Sequence, residues 1–265
     1  MKPHLRLLST AYEYAVFGLG WLGLSLFCLA WSTLAAILYP LLPQALGQRI
    51  GRFMIMATFR SFTCVLQWSG LFRFDLCALD ALRHEKALVI APNHPSLWDA
   101  VLIASRLPDV ACIMKAEIIN NIFLGGGARL ARYIRNESLR RMILMAVDNL
   151  RQGSHVLLFP EGTRTVRKPI GPLKGSVAVI ACRARVPVQT VLVETDSPFL
   201  GKGWPLLRKP PLPMTYRVRL GRRFEPSADS AALMAELEQY FIHELSGQSA
   251  PAAAQAIVPQ AVLAD

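Results

Sequence analysis

Residues 88–99 read LVIAPNHPSLWD, an apolar run from Leu88 to Ala91 that breaks at Pro92 into a short polar loop. That loop leads into a second apolar stretch, Ala100 to Ala104. The first run has the length and composition of a buried strand, and Pro95 or Ser96 is suited to open a helix over Ser96–Ser105. His94 then sits on the loop at the strand's C-terminal end, and Asp99 lies in the first turns of the helix. In α/β folds that edge of the sheet is where ligands bind.

The same alternation continues outward. Short apolar runs predict strands near Leu88–Pro92, Val110–Lys115, Val156–Phe159, Val186–Glu194 and Tyr216–Leu220. Helical patterns fall near Glu137–Arg151, Lys174–Ala184 and Ala231–Leu245, so an α/β domain is expected. No internal repeat is present.

His94 and Asp99 are the residue types a general base needs. A carboxylate on one ring nitrogen fixes the tautomer and stabilises the imidazolium, while the other nitrogen takes a proton from a hydroxyl. If that hydroxyl belongs to a substrate, no nucleophilic serine is required. The plainer reading is a helix-capping aspartate beside a surface histidine. A second motif favours the chemical reading: His155–Phe159 (HVLLF) is followed by Pro160-Glu161-Gly162-Thr163-Arg164. Arg164 is suited to grip a phosphate as a fork, Thr163 adds a hydroxyl, and Gly162 allows close backbone approach. Glu161 is suited to orient the cation or hydrogen-bond an acceptor hydroxyl.

NHPSLWD (Asn93–Asp99) and FPEGTR (Phe159–Arg164), in this order and about 65 residues apart, resemble the first and third motifs of the glycerolipid acyltransferase family, which includes the 1-acylglycerol-3-phosphate acyltransferases. The resemblance runs from about Leu88 to Leu220. It implies a mixed sheet flanked by helices, and transfer of a fatty acyl group from coenzyme A or acyl carrier protein to a lyso-glycerophospholipid hydroxyl. It also implies His94 as the base, Asp99 as its orienter, and Glu161, Gly162, Thr163 and Arg164 as the acceptor-phosphate site. No metal is implied, and no cofactor beyond the acyl-CoA or acyl carrier protein that serves as donor substrate.

Two further motifs are looser. Lys115 through Gly125–Gly127 to Ile134-Arg135-Asn136 resembles the second motif, whose terminal arginine is out of step here; Arg135 is the candidate phosphate ligand and Arg132 the alternative. Lys174 follows the third motif at a helix start, where similar proteins carry a lysine near the acceptor. Val186–Val191 resembles the fourth motif, with Thr190 where a second proline is expected. The family pattern is silent on residues 196–213, DSPFLGKGWPLLRKPPLP, which reads as a loop at the membrane interface or as a plain surface loop. Arg217, Arg219, Arg222 and Arg223 would extend that basic surface or receive an acidic acyl carrier protein.

Composition agrees with a lipid environment. Of 265 residues, 53% are hydrophobic and 18% charged, with 29 Lys+Arg against 18 Asp+Glu and a formal charge of +11. Mean hydropathy is +0.34, which excludes disorder and a small disulfide scaffold. A basic, apolar chain suits a membrane surface better than nucleic acid, for which no motif is present. Five scattered cysteines without a C-x-x-C pair suggest reduced thiols and a cytoplasmic soluble part.

Tyr14–Leu42 carries no charged side chain and is long enough to cross a bilayer. It predicts a membrane anchor, against the alternatives of a core helix or a signal peptide. Lys2 and Arg6 precede it and Arg49, Arg52 and Arg60 follow, which suits a hairpin whose ends return to the cytoplasmic face. Phe53–Phe72, interrupted by Arg60, would complete that hairpin, lie in the interface, or begin the soluble domain. The expected organisation is an anchor over 1–72, a catalytic domain over 73–246 and a flexible tail over 247–265. The expected site of action is the cytoplasmic (inner) membrane, with the catalytic domain facing the cytoplasm. Acylation of another lipid and non-catalytic binding of anionic lipids are the competing readings.

Overall fold

The computed structural model describes residues 3–247, apart from 168. The tail expected beyond 247 lies outside the described residues. Two long helices come first, α1 (Pro3–Leu41) and α2 (Gln44–Trp68), then β1 (Phe72–Asp75), a 3-10 helix (Cys77–His84) and β2 (Val89–Pro92). α3 (Asp99–Ala104), β3 (Val110–Met114), α4 (Ala116–Ile119), α5 (Gly125–Leu130) and β4 (Ile134–Arg135) follow. The chain closes with α6 (Leu139–Arg151), β5 (His155–Leu157), α7 (Ser176–Ala184), β6 (Val188–Thr195), β7 (Met214–Phe224) and α8 (Ser230–Ser246).

The seven strands form one sheet in the order β1-β7-β6-β2-β5-β3-β4. All neighbouring pairs are parallel except β6 with β7, so the sheet is mixed. The central strands are buried on both faces, which explains their unbroken apolar sequence. Leu88, Ile90, Cys112, Leu157 and Phe159 enter the core shared with α1, α2, α3 and α5. Val89, Ala91, Ala111, Val156 and Leu158 enter the core under α6, α7 and α8. The alternation places the C-terminal ends of β2 to β6 along one edge.

α1 begins at Pro3, eleven residues before the apolar segment that predicted it, and at about 58 Å is longer than a bilayer's hydrocarbon core. Its residues His4–Leu41 are long and apolar enough to cross a membrane. α1 and α2 form an antiparallel pair, with the Tyr12 hydroxyl donating to Ser69 O at 2.8 Å. α2 starts nine residues before the segment expected for it, and α1 alone among the described helices has a membrane-span composition.

α2 is fastened to the sheet domain. Arg52 is 1% exposed. Its guanidinium donates to the Ala131 carbonyl (3.1 Å), Ser154 Oγ (2.7 Å), Asn149 Oδ1 (2.5 Å) and the Asp109 carboxylate. Beside it, a methyl on Gly51 would lie 2.5 Å from the Ala131 nitrogen, so the two backbones touch. α1 docks in the same close manner on the glycine-rich α5, where the Gly126 N–H donates to Ser32 Oγ at 2.7 Å.

Candidate active site

The loop after β2 carries His94, and the chain turns before α3 begins. Residues 96–98 form a turn because Asp99 Oδ2 accepts the Ser96 N–H at 2.8 Å, holding the helix start back to Asp99. The same oxygen lies 2.8 Å from His94 Nδ1. Asp99 is fully buried, whereas the His94 side chain keeps 13% exposure. Burial pushes the Asp99 carboxyl above its ordinary range, opposed by His94 and the Ser96 N–H. Its other oxygen is buried without a partner among the described residues. With Nδ1 held by the carboxylate, Nε2 has no protein partner among the described residues. The ring stacks on Phe159 at 3.8 Å between centroids, which fixes its plane.

A second layer supports the turn. The Tyr216 hydroxyl reaches Ser96 Oγ (2.9 Å) and the Phe199 carbonyl (3.4 Å), and Ser96 Oγ donates to Phe199 O at 3.0 Å. Burial raises the Tyr216 phenol, keeping it protonated as a donor.

The structure brings the two motifs together. Thr165 N–H donates to His94 O at 2.7 Å. Glu161 Oε1 accepts from the His94 N–H (3.3 Å) and the Thr165 hydroxyl (2.6 Å), and Oε2 accepts from Gly171 N–H at 2.9 Å. Glu161 is 4% exposed, with both oxygens committed to the protein. Glu161 thereby cross-links the two turns. Arg164 Nη1 donates to the Leu200 (2.9 Å) and Gly201 (3.0 Å) carbonyls. Thr163 Oγ1 accepts from Lys202 Nζ at 3.3 Å. Gly162 takes φ +66°, and the Lys174 side chain lies over it, within 2.6 Å of where a Cβ would stand.

Arg135 is placed elsewhere. Register puts it level with Pro92 along the sheet, three strand spacings away, about 14 Å. Its guanidinium meets Glu137 (3.3 Å) and Asn120 Oδ1 (3.1 Å). With Arg129, Arg132, Arg141 and Tyr39 it lines a separate cavity of about 240 Å³. Arg132, at φ +55°, places its guanidinium over the Tyr39 ring and donates to the hydroxyl at 2.8 Å.

The basic residues on β7 are paired: Arg217 with Asp75, Arg219 with Glu194 and Glu244, Arg222 with Glu236 and Arg223 with Glu85. Lys202 is the residue sequence reading passed over. It comes from the loop between β6 and β7, and only the fold brings it to Thr163.

The geometry places a hydrogen-bonded histidine–aspartate pair at the strand-end edge of a mixed α/β sheet. A family model described as Acyltransferase matches residues 73–194. The 1-acyl-sn-glycerol-3-phosphate acyltransferase of Pseudomonas aeruginosa is 24% identical over 222 residues, covering 82% of this chain and 83% of its own. The human 1-acyl-sn-glycerol-3-phosphate acyltransferase beta is 27% identical over 134 residues, 48% of each chain. The crystal structure of the 1-acyl-sn-glycerophosphate (LPA) acyltransferase PlsC from Thermotoga maritima shares the fold. Its TM-score is 0.64 at 18% identity, covering 94% of this chain and 98% of that one. The acyltransferase model thus covers the sheet from β1 to β6, and over most of its length the chain is similar to 1-acyl-sn-glycerol-3-phosphate acyltransferases. These likenesses support an acyltransferase enzyme over the non-catalytic binding alternative.

Proposed function

We propose that the protein acylates the free hydroxyl of a lyso-glycerophospholipid such as 1-acylglycerol-3-phosphate, taking the acyl group from acyl-CoA or acyl carrier protein and giving phosphatidic acid. The observation that carries this reading is the His94 ring, held at Nδ1 by a buried carboxylate and unpartnered at Nε2. Nε2 takes the proton of the acceptor hydroxyl as its oxygen attacks the thioester carbonyl. The tetrahedral intermediate then expels the thiolate, which His94 reprotonates. Asp99 holds the tautomer and stabilises the imidazolium, and the base contributes about 10² to 10⁴-fold. No acyl-enzyme forms, and the chemistry needs no metal or cofactor besides the thioester.

Lys174 and Lys202 flank the turn at Gly162 and Thr163 and supply positive charge for the acceptor phosphate. Family likeness supports this acceptor class, since the relatives above are named for 1-acyl-sn-glycerol-3-phosphate. Membrane contact comes through the outer face of α1, where Leu19, Leu22, Leu26 and Ile37 are exposed while Phe17, Trp31 and Ala35 stay packed on the domain. The site of action is then the cytoplasmic (inner) membrane, with the catalytic domain on its cytoplasmic face.

The test is thioester consumption by purified protein in liposomes, offering acyl-CoA and acyl carrier protein each beside lysophosphatidic acid. Transfer by wild type and none by His94→Ala is the expected result. Unchanged transfer by His94→Ala would remove the proposed base. Transfer only to a lipid lacking a phosphate monoester would replace the acceptor.

A further inference from the structure

The loop between β6 and β7, residues 196–213, touches both the catalytic turn and the apolar helix. Phe199 is fully buried, with its ring edge-on to Trp98 (5.2 Å) and to Phe17 of α1 (6.0 Å). Its carbonyl accepts from Ser96 Oγ, and the next carbonyl, of Leu200, accepts from both Leu97 N–H (3.0 Å) and Arg164. Leu200 adopts φ +55°, a region a leucine enters only when neighbouring contacts impose it. Farther along, Lys209 Nζ pairs with Glu13 Oε2 of α1 at 2.6 Å and lies 5.2 Å from the Tyr14 ring centroid. Both partners are largely shielded, at 14% and 19% exposure.

Between these anchor points the loop turns outward. Trp204 packs edge-on to Phe199 and under the Arg208 guanidinium (4.9 Å). Leu206 and Leu207 project beyond them, 50% and 78% exposed. An apolar tip framed by tryptophan, arginine and lysine is the composition of a segment that enters the headgroup region. Phe17 and Glu13 fix the loop to the N-terminal half of α1, whose opposite face carries exposed Leu19 and Leu22.

We propose that Leu206 and Leu207 form a second lipid contact, entering the same leaflet surface as α1, and that Glu13 and Arg164 are positioning residues tying this contact to the His94 turn. The occupant is an anionic bilayer. The coupling to His94 rests on the functional reading above; the lipid contact does not. The Arg164 guanidinium thereby acts as a latch on the loop, and acyl transfer to embedded lipid depends on the loop being seated.

The experiment uses the full chain with Leu206→Asp and Leu207→Asp together, both exposed positions. Cosedimentation with phosphatidylglycerol vesicles reads the contact directly, without catalysis. Transfer is then compared between vesicle-embedded lysophosphatidic acid and a short-chain analogue kept below its micelle concentration. Expected are vesicle association and vesicle-substrate rate lower by about tenfold, with the soluble-substrate rate within about twofold. Unchanged vesicle association overturns the lipid contact. Glu13→Lys should raise KM for the embedded acceptor, and Glu13→Lys with Lys209→Glu should restore it; failure of the exchange to restore it overturns the coupling. His94→Ala, run in parallel, reports separately on the base.

Discussion

Gly162 and Lys174 share one space. The lysine side chain crosses the turn where any other residue would carry a Cβ, 2.6 Å from both Cε and Nζ, and the turn itself requires φ +66°. Gly162→Ala therefore meets both a strained backbone and a displaced lysine. It should lower stability by about 1 kcal/mol or more, read by thermal denaturation, and should reduce kcat/KM for a phosphate-bearing acceptor.

Lys174 and Arg135 separate two locations for the acceptor phosphate. Lys174→Ala should raise KM for lysophosphatidic acid about tenfold, the scale of one charge-assisted hydrogen bond. Arg135→Ala, in the cavity beside Tyr39, should change it by less than about twofold. The reverse ranking in steady-state kinetics would assign the phosphate to that cavity.

Asp99→Asn keeps the shape of the buried side chain and removes its charge. An amide nitrogen in place of Oδ2 would turn a donor toward both Ser96 N–H and His94 Nδ1; an amide oxygen there keeps both bonds but brings no negative charge to the imidazolium. A fall in kcat of about 10² to 10⁴-fold is expected, with the circular dichroism spectrum unchanged. Activity near the wild-type level would show that the carboxylate serves the turn and not the base.

His155 gives stability a pH dependence. It is buried and neutral, accepting from Leu88 N–H at Nδ1 (3.2 Å) and donating from Nε2 to Leu82 O (3.0 Å). Desolvation holds its pKa below the ordinary value near 6.5. The unfolded chain therefore takes up the proton first as pH falls. The contribution is fully present above about pH 6.5 and is lost below it. Denaturant midpoints between pH 8 and pH 5 should fall, and the His155→Gln variant should show a shallower slope.

Arg52→Met should cost about 3 kcal/mol, since it strands the buried Asn149 and Ala131 acceptors and breaks the link to Asp109. Urea denaturation of the detergent-solubilised protein measures it; a loss under about 1 kcal/mol would show that the contacts are compensated.

The central strands were legible because burial on both faces leaves a continuous apolar run at β2, β3, β5 and β6. β1 and β4 were not: one alternates as FRFD and the other is two residues long. α5, sequence GGGARL, has poor helix propensity and forms because glycine alone lets α1 approach its backbone. Within the site, the local spacing of His94 and Asp99 was readable. The commitment of Glu161 was not, since it depends on Gly171 and Thr165 being folded against it. Nor were the acceptors of Arg164 Nη1, the Leu200 and Gly201 carbonyls, which lie about 36 residues farther along.

The contact of α1 with α5 is made at backbone distance, through Gly126 and Ser32. Side chains long enough to repack would let the helix roll or slide; a glycine seam does not. Whatever tilt α1 takes in lipid is therefore imposed on the whole sheet, including the edge that carries His94. On the proposed membrane contact, the orientation of His94 toward the lipid surface is settled once, when the chain folds, so an arriving lipid would find that rotational search already completed.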